Sequence, residues 1–188
     1  MEFNDRSLVI TDLETTGLDP IIHEVIDIGA VRVDQESLEI EATFTCKIQP
    51  VYIELAHPKA LEVNGYTPEA WKNAVRHDDA WQSFFSFGRQ GVFSSWSVSF
   101  DWGFVDPAIR FYHPEQRFGP FDRHLIDLPS VAWGIVGPVA KVGKDAVAEV
   151  LGLEPEPLPH DGLAGALHAL TILRRLRRLV RNNYAQAA

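Results

Sequence analysis

The chain has 188 residues, of which 46% are hydrophobic and 23% charged, and its formal net charge is −9. This composition is ordinary for a globular domain, and no apolar run approaches the roughly 18 residues that span a bilayer. The negative charge argues against broad electrostatic wrapping of duplex DNA, but it does not exclude nucleic acid as a substrate, because acids that bind cations hold phosphates through the metal.

The amino terminus and the cysteine content predict where the protein works. The first residues, MEFNDRS, have neither the basic flank nor the apolar core of a signal peptide. Cys46 is the single cysteine, so an intramolecular disulfide cannot form. We therefore expect a single cytoplasmic domain over residues 1–188, with no membrane association.

The first fifty residues alternate in the manner of β-strands. Ser7–Asp12 is a short apolar run, and both Val25–Asp34 and Ile40–Gln49 alternate apolar with polar side chains. Short turn-rich segments separate the three runs, so the pattern predicts an antiparallel meander of three strands.

Helix signals dominate beyond Pro58. Thr67 followed by Pro68 is typical of a helix start, with Thr67 as the N-cap. One further strand is predicted over Gly91–Val98. Five further helices are predicted: Asp78–Phe87, Phe100–Tyr112, one that begins at Pro129, Lys141–Leu151, and one from Gly162 to about Val180. Strands followed by alternating helices and strands predict an α/β layered domain with a mixed sheet.

The last predicted helix ends in a cluster of arginines: Arg174, Arg175, Arg177, Arg178 and Arg181. Such a cluster complements the helix dipole and aids solubility, or it forms a nucleic-acid patch. The first interpretation is favoured because positive charge at a helix C-terminus is common.

Two carboxylates, those of Asp12 and Glu14, lie at the end of the first predicted strand. Side chains two residues apart on a strand point to the same face, so the two project together. They repel each other unless a cation neutralises them, and Mg²⁺ and Mn²⁺ take oxygen ligands of this kind. An exposed strand end, with each acid bonded to turn amides, is the alternative.

Two further segments carry residues of related chemistry. Asp101 follows a strand and opens a helix, where an acid either caps the helix or lines the crevice at the strand ends. His160 precedes the last helix, where it either packs and caps or acts as a general base on a water molecule. Each residue is a weak signal alone, and only their combination is specific.

Five segments, in order, carry a family resemblance: TDLETTGLDP, VIDIGAV, LEVNGYT, SVSFDWGFV and PHDGLAGALHAL. Their sequences, order and separations resemble the DEDD-type 3′–5′ exonucleases of the histidine subclass (DEDDh), the superfamily of polymerase proofreading subunits and oligoribonucleases. The resemblance covers most of the chain. It implies an RNase H-like three-layer α/β domain, in which an antiparallel meander and parallel strands form one mixed sheet flanked by helices.

The resemblance also implies an activity, which is two-metal hydrolysis of phosphodiester bonds at 3′ ends of single-stranded DNA or RNA. The cofactors would be two divalent cations, Mg²⁺ or Mn²⁺. Asp12, Glu14 and Asp101 would bind the metals, and His160 would take the proton of the attacking water. The residues that would receive the terminal nucleotide are Thr15, Thr16, Gly17, Leu18, Leu61 and Phe100. For Leu61 and Phe100, ordinary core packing is an equal alternative.

Because the superfamily includes polymerase proofreading subunits, the resemblance allows a polymerase partner, although no tail or linker in the sequence indicates one. The sequence does not determine the oligomeric state, nor does it distinguish DNA from RNA.

The chain departs from the family at Gly165, where the family has a fourth metal-binding aspartate five residues after the histidine. A glycine inside a helix costs about 1 kcal/mol relative to alanine. Loss of one carboxylate weakens binding of one ion, so we expect impaired catalysis. Three explanations fit the glycine: a natural loss of the aspartate, a change introduced into the protein, or compensation by a nearby group. The neighbouring acid Asp161 would point to another face of the helix, which argues against it as the compensating group.

Two other functions fit parts of the pattern. A catalytically inactive nuclease-like domain that binds nucleic-acid ends or a protein partner would account for Gly165. The dipeptide His160-Asp161 also occurs in helical metal phosphohydrolases. The strand-rich amino-terminal segment argues against that class, which is all-helical.

Overall fold

The computed structural model describes residues 2–137 and 143–187, with side chains described as far as residue 182. Five strands form one mixed sheet in the order β3-β2-β1-β4-β5. The strands are β1 (Leu8–Thr15), β2 (Val25–Val33), β3 (Ile40–Lys47), β4 (Val92–Ser95) and β5 (Leu125–Asp127). The predicted meander is confirmed, since β2 pairs antiparallel with both β1 and β3, while β4 and β5 add parallel strands.

Within the described residues, six helices surround the sheet: α1 (Pro58–Asn64), α2 (His77–Phe87), α3 (Val98–Tyr112), α4 (Leu128–Val136), α5 (Lys144–Val150) and α6 (Gly162–Ala187). The predictions for α2, α3, α4 and α6 are confirmed in type, and their starts move by no more than two residues. The last helix continues to Ala187, well beyond the predicted end near Val180, so its arginines do not lie in the last turn. The first two residues of the helix predicted from Lys141 lie outside the described residues, and α5 accounts for its remainder. Single 3₁₀ turns occur at Phe3–Asp5 and Ile53–Leu55.

The helix predicted to begin at Thr67 is wrong. The Thr67 hydroxyl does accept a hydrogen bond from the Ala70 amide, at 3.0 Å, but the segment makes only hydrogen-bonded turns. Trp71 is 2% exposed, and its indole nitrogen donates to the carbonyl of Ile26 at 2.8 Å. Val75 then forms a bridge with Ile48. Burial of Trp71 against β2 therefore overrides the local start signal.

The strand that carries the two carboxylates is longer than predicted. It continues through Glu14 to Thr15 because β2 offers partners along its whole length, with Asp12 opposite Gly29 and Glu14 opposite Asp27. Similarly, α3 begins at Val98, so Asp101 lies in the first turn of that helix and not directly after the strand. The short strand β5 was not predicted.

Two apolar clusters cover the two faces of the sheet and define three layers. On one face, Leu8 and Ile10 of β1 pack with buried residues of α4, α5 and α6. On the other face, Val9 and Leu13 pack with buried residues of α2 and α3. Since side chains alternate along a strand, Asp12 and Glu14 share the face of Leu8 and Ile10, which is the face that α6 covers.

The arginine cluster of α6 contacts the turn between β2 and β3. The Arg174 guanidinium donates to the carbonyl of Leu38, at 2.6 and 3.1 Å, and Arg177 donates to the carbonyls of Gln35 and Glu36. These arginines therefore hold a turn in place. Within the described ranges, no helix has the length and hydropathy needed to cross a membrane.

Candidate active site

A cleft of about 520 Å³ lies between β1, α1 and the segment that leads into α6. Acidic, basic and apolar side chains line it, and it is the place where the segments singled out in the sequence converge. Of the residues predicted for the site, those that line the cleft are Asp12, Glu14, Thr15, Gly17, Leu18, Phe100 and His160.

Asp12 and Glu14 project into the cleft from the same face of β1, as predicted. Burial raises the pKa of Asp12, while the neighbouring ammonium of Lys144 acts to lower it. Burial, and then the charges of Asp12 and Glu156, raise the pKa of Glu14 to about 9. Such shifts indicate that the carboxylates crowd together in an environment poor in water.

Asp101 lies beneath the cleft floor and is 3% exposed. Its Oδ1 accepts a hydrogen bond from the backbone amide of Leu13 at 3.3 Å, which ties the first turn of α3 to β1. Burial, and then the charge of Asp12, raise the pKa of Asp101 to about 8. Because Leu13 directly follows Asp12, the hydrogen bond from its amide shows that the fold brings together acids that are far apart in the sequence.

His160 stands at the cleft wall, just before α6. Its backbone amide donates to the carbonyl of Val63 at 2.9 Å, which attaches this segment to α1. Its ring lines the cleft and makes no hydrogen bond with any described residue. Asp161 turns away and caps α6, with Oδ1 accepting from the amide of Ala164 at 3.1 Å. Asp161 is therefore not the replacement for the missing aspartate.

Gly165 is buried on the face of α6 that contacts Asp12. A Cβ at this position would lie 1.9 Å from Oδ2 of Asp12 and 2.7 Å from Oε1 of Glu156. The absent side chain leaves room that the carboxylates of Asp12 and Glu156 occupy. This contact explains a glycine for which the helix pattern gave no reason.

Two residues that sequence reasoning missed complete the cleft: Lys144 at the start of α5, and Glu156 in the segment between α5 and α6. The Lys144 ammonium lies 3.0 Å from Oδ1 of Asp12 and 2.7 Å from Oε2 of Glu156. Burial by itself would lower the pKa of Lys144, but the two carboxylates raise it. The only sequence signal for Glu156 was an acid close before His160 in a proline-rich stretch.

The residues predicted to receive a nucleotide separate into two groups. The Thr15 hydroxyl donates to the carbonyl of Gly17 at 2.7 Å and shapes the turn after β1, while Leu18 is 81% exposed at the rim. Phe100 lines the cleft and also packs edge-on against Phe104. Thr16 and Leu61 do not line the cleft; Thr16 is buried, and its hydroxyl accepts from the amide of Glu24.

The donors in the cleft have the chemistry that a divalent cation requires, because carboxylate oxygens are the ligands that Mg²⁺ and Mn²⁺ prefer. In the arrangement observed, no three Asp, Glu, His or Cys side chains of the described segments close on a single metal position. The cation that lies among these oxygens is the Lys144 ammonium.

A mixed sheet of antiparallel and parallel strands covered by helices on both faces is the RNase H-like fold, and here it carries an acidic cleft beside a histidine. The family model for the RNase T exonucleases matches residues 9–173. The chain therefore belongs to this exonuclease family, and the resemblance to the 3′–5′ exonucleases is confirmed.

Relatives agree with this assignment. The chain is 24% identical to the 3′-5′ DNA exonuclease Cap18 of Escherichia coli, over 95% of this chain and 96% of that protein. It is 29% identical to the PolC-type DNA polymerase III of Thermotoga maritima, over 81% of this chain. The match spans only 10% of that polymerase.

Solved structures share the fold. The nuclease domain of 3′hExo, a DEDDh family member bound to rAMP, superposes with a TM-score of 0.75 at 18% identity, over 92% of each chain. Escherichia coli Exonuclease I in complex with a dT13 oligonucleotide superposes with a TM-score of 0.74 at 17% identity, over 95% of this chain and 43% of that one.

Proposed function

We propose that the protein is a metal-dependent 3′–5′ exonuclease that hydrolyses single-stranded nucleic acid. The observation that supports this most is that three separate segments of the chain converge here: Asp12, Glu14 and His160 line one cleft, and Asp101 is hydrogen-bonded to the cleft residue Leu13 directly below. Single-stranded DNA is the first substrate to test, since the relative that aligns over nearly its full length is a DNA exonuclease.

The acidic residues would hold the metal, and the histidine would handle the proton. Divalent cations supply charge stabilisation and a more acidic bound water in hydrolysis of this kind. Asp12, Glu14 and Asp101 are the residues that would hold them. His160 would accept the proton of the attacking water; its position in the lining of the same cleft supports this role.

The turn after β1 would position the terminal nucleotide. Gly17 lies against the ring of His23, where a Cβ would come within 2.4 Å of ring atoms. The glycine therefore allows the turn to pack closely against that ring in the cleft lining. Leu18 and Phe100 offer apolar surface for a base. Attack of water on phosphorus then breaks the P–O3′ bond, releases a nucleoside 5′-monophosphate and leaves a 3′-hydroxyl on the shortened strand.

The test is a nuclease assay on single strands of DNA and of RNA that carry a 5′ label, with Mg²⁺ or Mn²⁺. We expect progressive shortening from the 3′ end by wild type, and faster shortening by Gly165→Asp, in which the carboxylate groups of Asp12 and Glu156 must move aside to admit the new side chain. The matched control is Asp12→Asn/Glu14→Gln, prepared identically, which should reveal any contaminating nuclease. Intact strands with both wild type and Gly165→Asp would rule the proposal out.

The second candidate function is binding of nucleic-acid ends without cleavage. It is favoured by Gly165 and by the Lys144 ammonium among the acids. Titration with a fluorescent 3′-ended oligonucleotide distinguishes the two functions, because binding without turnover supports the second and turnover excludes it. A polymerase partner is a further proposal, for which the PolC-type relatives are the support.

A further inference from the structure

The Lys144 ammonium occupies a defined position in the acidic cleft. It lies between Oδ1 of Asp12 and Oε2 of Glu156, at 3.0 and 2.7 Å. Its side chain is 14% exposed, and that of Glu156 is 1% exposed, so water competes weakly for either group. Removal of one partner of an ion pair this deep leaves the other charge buried and unpaired, so the ammonium and the carboxylates depend on one another.

Glu156 extends into the space that Gly165 leaves. Its Oε1 lies 2.7 Å from where the Cβ of any larger residue at 165 would be. This buried oxygen has no hydrogen-bond partner among the described residues. A buried carboxylate oxygen without a donor is costly, and its direction indicates a site that takes a cation.

We infer that Asp12 and Glu156 form a cation position in which Glu156 supplies the carboxylate that Gly165 lacks, and in which the Lys144 ammonium takes the place of a second divalent ion. The cleft then holds one divalent ion at most while Lys144 is present. This inference rests on the proposed metal-dependent function, and it names the residues that change that function in this chain.

The test counts bound ions, using Mn²⁺ titrations followed by electron paramagnetic resonance of free Mn²⁺. We expect about one ion per chain for wild type and about two for Lys144→Met, since removing the ammonium frees both carboxylates. Lys144→Met/Glu156→Gln should return to about one. The control is Lys72→Met, an exposed lysine paired with Glu69, which should not alter the count.

Each result decides the inference. Two ions on wild type, or no gain in Lys144→Met, would overturn the role of Lys144. A second ion retained in the double variant would overturn the role of Glu156. If circular dichroism shows that Lys144→Met does not fold, Lys144→Gln keeps a polar group in the cleft and carries the same expectation.

The nuclease assay on the same preparations separates this inference from the proposed function. Mn²⁺ counts that follow the expected pattern without strand shortening by any variant would remove the exonuclease and leave the cation position standing. Strand shortening by wild type, together with a Mn²⁺ count that does not change in Lys144→Met, would support the exonuclease and overturn the cation position.

Discussion

Gly29 of β2 and Gly162 of α6 lie backbone against backbone. A Cβ on Gly29 would stand 1.7 Å from the carbonyl carbon of Gly162, and a Cβ on Gly162 would stand 2.5 Å from the amide nitrogen of Gly29. Because neither residue has a side chain, α6 begins directly on the sheet, opposite Asp12 in the strand register. This close approach brings His160 and Gly165 against the carboxylates of β1.

The first prediction concerns this contact. Gly29→Ala should lower the free energy of unfolding by about 3 kcal/mol, because the methyl group meets backbone that has no room to yield. Urea unfolding at neutral pH measures it. Gly134→Ala is the matched control: nothing lies within 4 Å of its Cβ position in α4, so its stability should be unchanged or higher by up to about 1 kcal/mol. Equal stability of the two variants would contradict the prediction.

The second prediction concerns proton transfer. His160→Asn should reduce kcat by about 10² to 10⁴ without altering Mn²⁺ binding, because the ring lines the cleft and is assigned to the water proton and not to the metal. Steady-state hydrolysis of a single-stranded oligonucleotide measures kcat, and the ion titration measures binding. His124→Gln, an exposed histidine beside Asp122, serves as the control. A kcat for His160→Asn within a factor of three of wild type would remove the assigned role.

The third prediction concerns pH. In the folded chain the pKa values of Glu14 and Asp101 rise to about 9 and about 8, from ordinary values of 4.5 and 3.8. Between the ordinary and the raised values the folded state holds more protons than the unfolded state, so the free energy of unfolding falls as pH rises. In EDTA we expect Tm to drop by about 5–10 °C from pH 6 to pH 9.

Differential scanning calorimetry across this pH range tests the third prediction. Glu14→Gln should make Tm less dependent on pH, because one of the two protons is no longer lost. Excess Mn²⁺ should raise Tm more at pH 9 than at pH 6, since the metal and the protons compete for the same oxygens. A Tm that is constant or rises with pH in EDTA would show that the acids are not buried as described.

The fourth prediction tests whether the arginine cluster holds the turn between β2 and β3 or forms a nucleic-acid patch. Arg174→Met should cost about 1–2 kcal/mol of stability, because it leaves the carbonyl of Leu38 without its two donors. Oligonucleotide affinity should not change. Arg175→Met, at an exposed neighbouring position, should leave both quantities unaltered. A tenfold loss of oligonucleotide affinity in Arg174→Met would favour the nucleic-acid patch instead.

Local pattern identified the strands and the last helix but not how deeply each strand is buried. The apolar stripe of α6 predicted a real helix because it marks the buried face. The alternation in β2 and β3 predicted real strands, although nearly every residue of β2 is buried between its neighbours and the edge strand β3 is mostly exposed. The Thr67 signal failed because a tertiary contact competes with it. A cap specifies where a helix starts only if no partner competes, and the burial of Trp71 against the carbonyl of Ile26 wins there.

The sequence by itself determined the exonuclease family, the same-face placement of Asp12 and Glu14, and the absence of the family's aspartate at position 165. Only the tertiary structure decided that Glu156 reaches the space beside Gly165 and that Lys144 pairs with Asp12. Lys144 and Asp12 are separated by 132 residues, and no local period relates them. Their contact depends on where α5 and α6 settle on the sheet, and burial there makes a single ammonium decisive for the charge of the whole cleft.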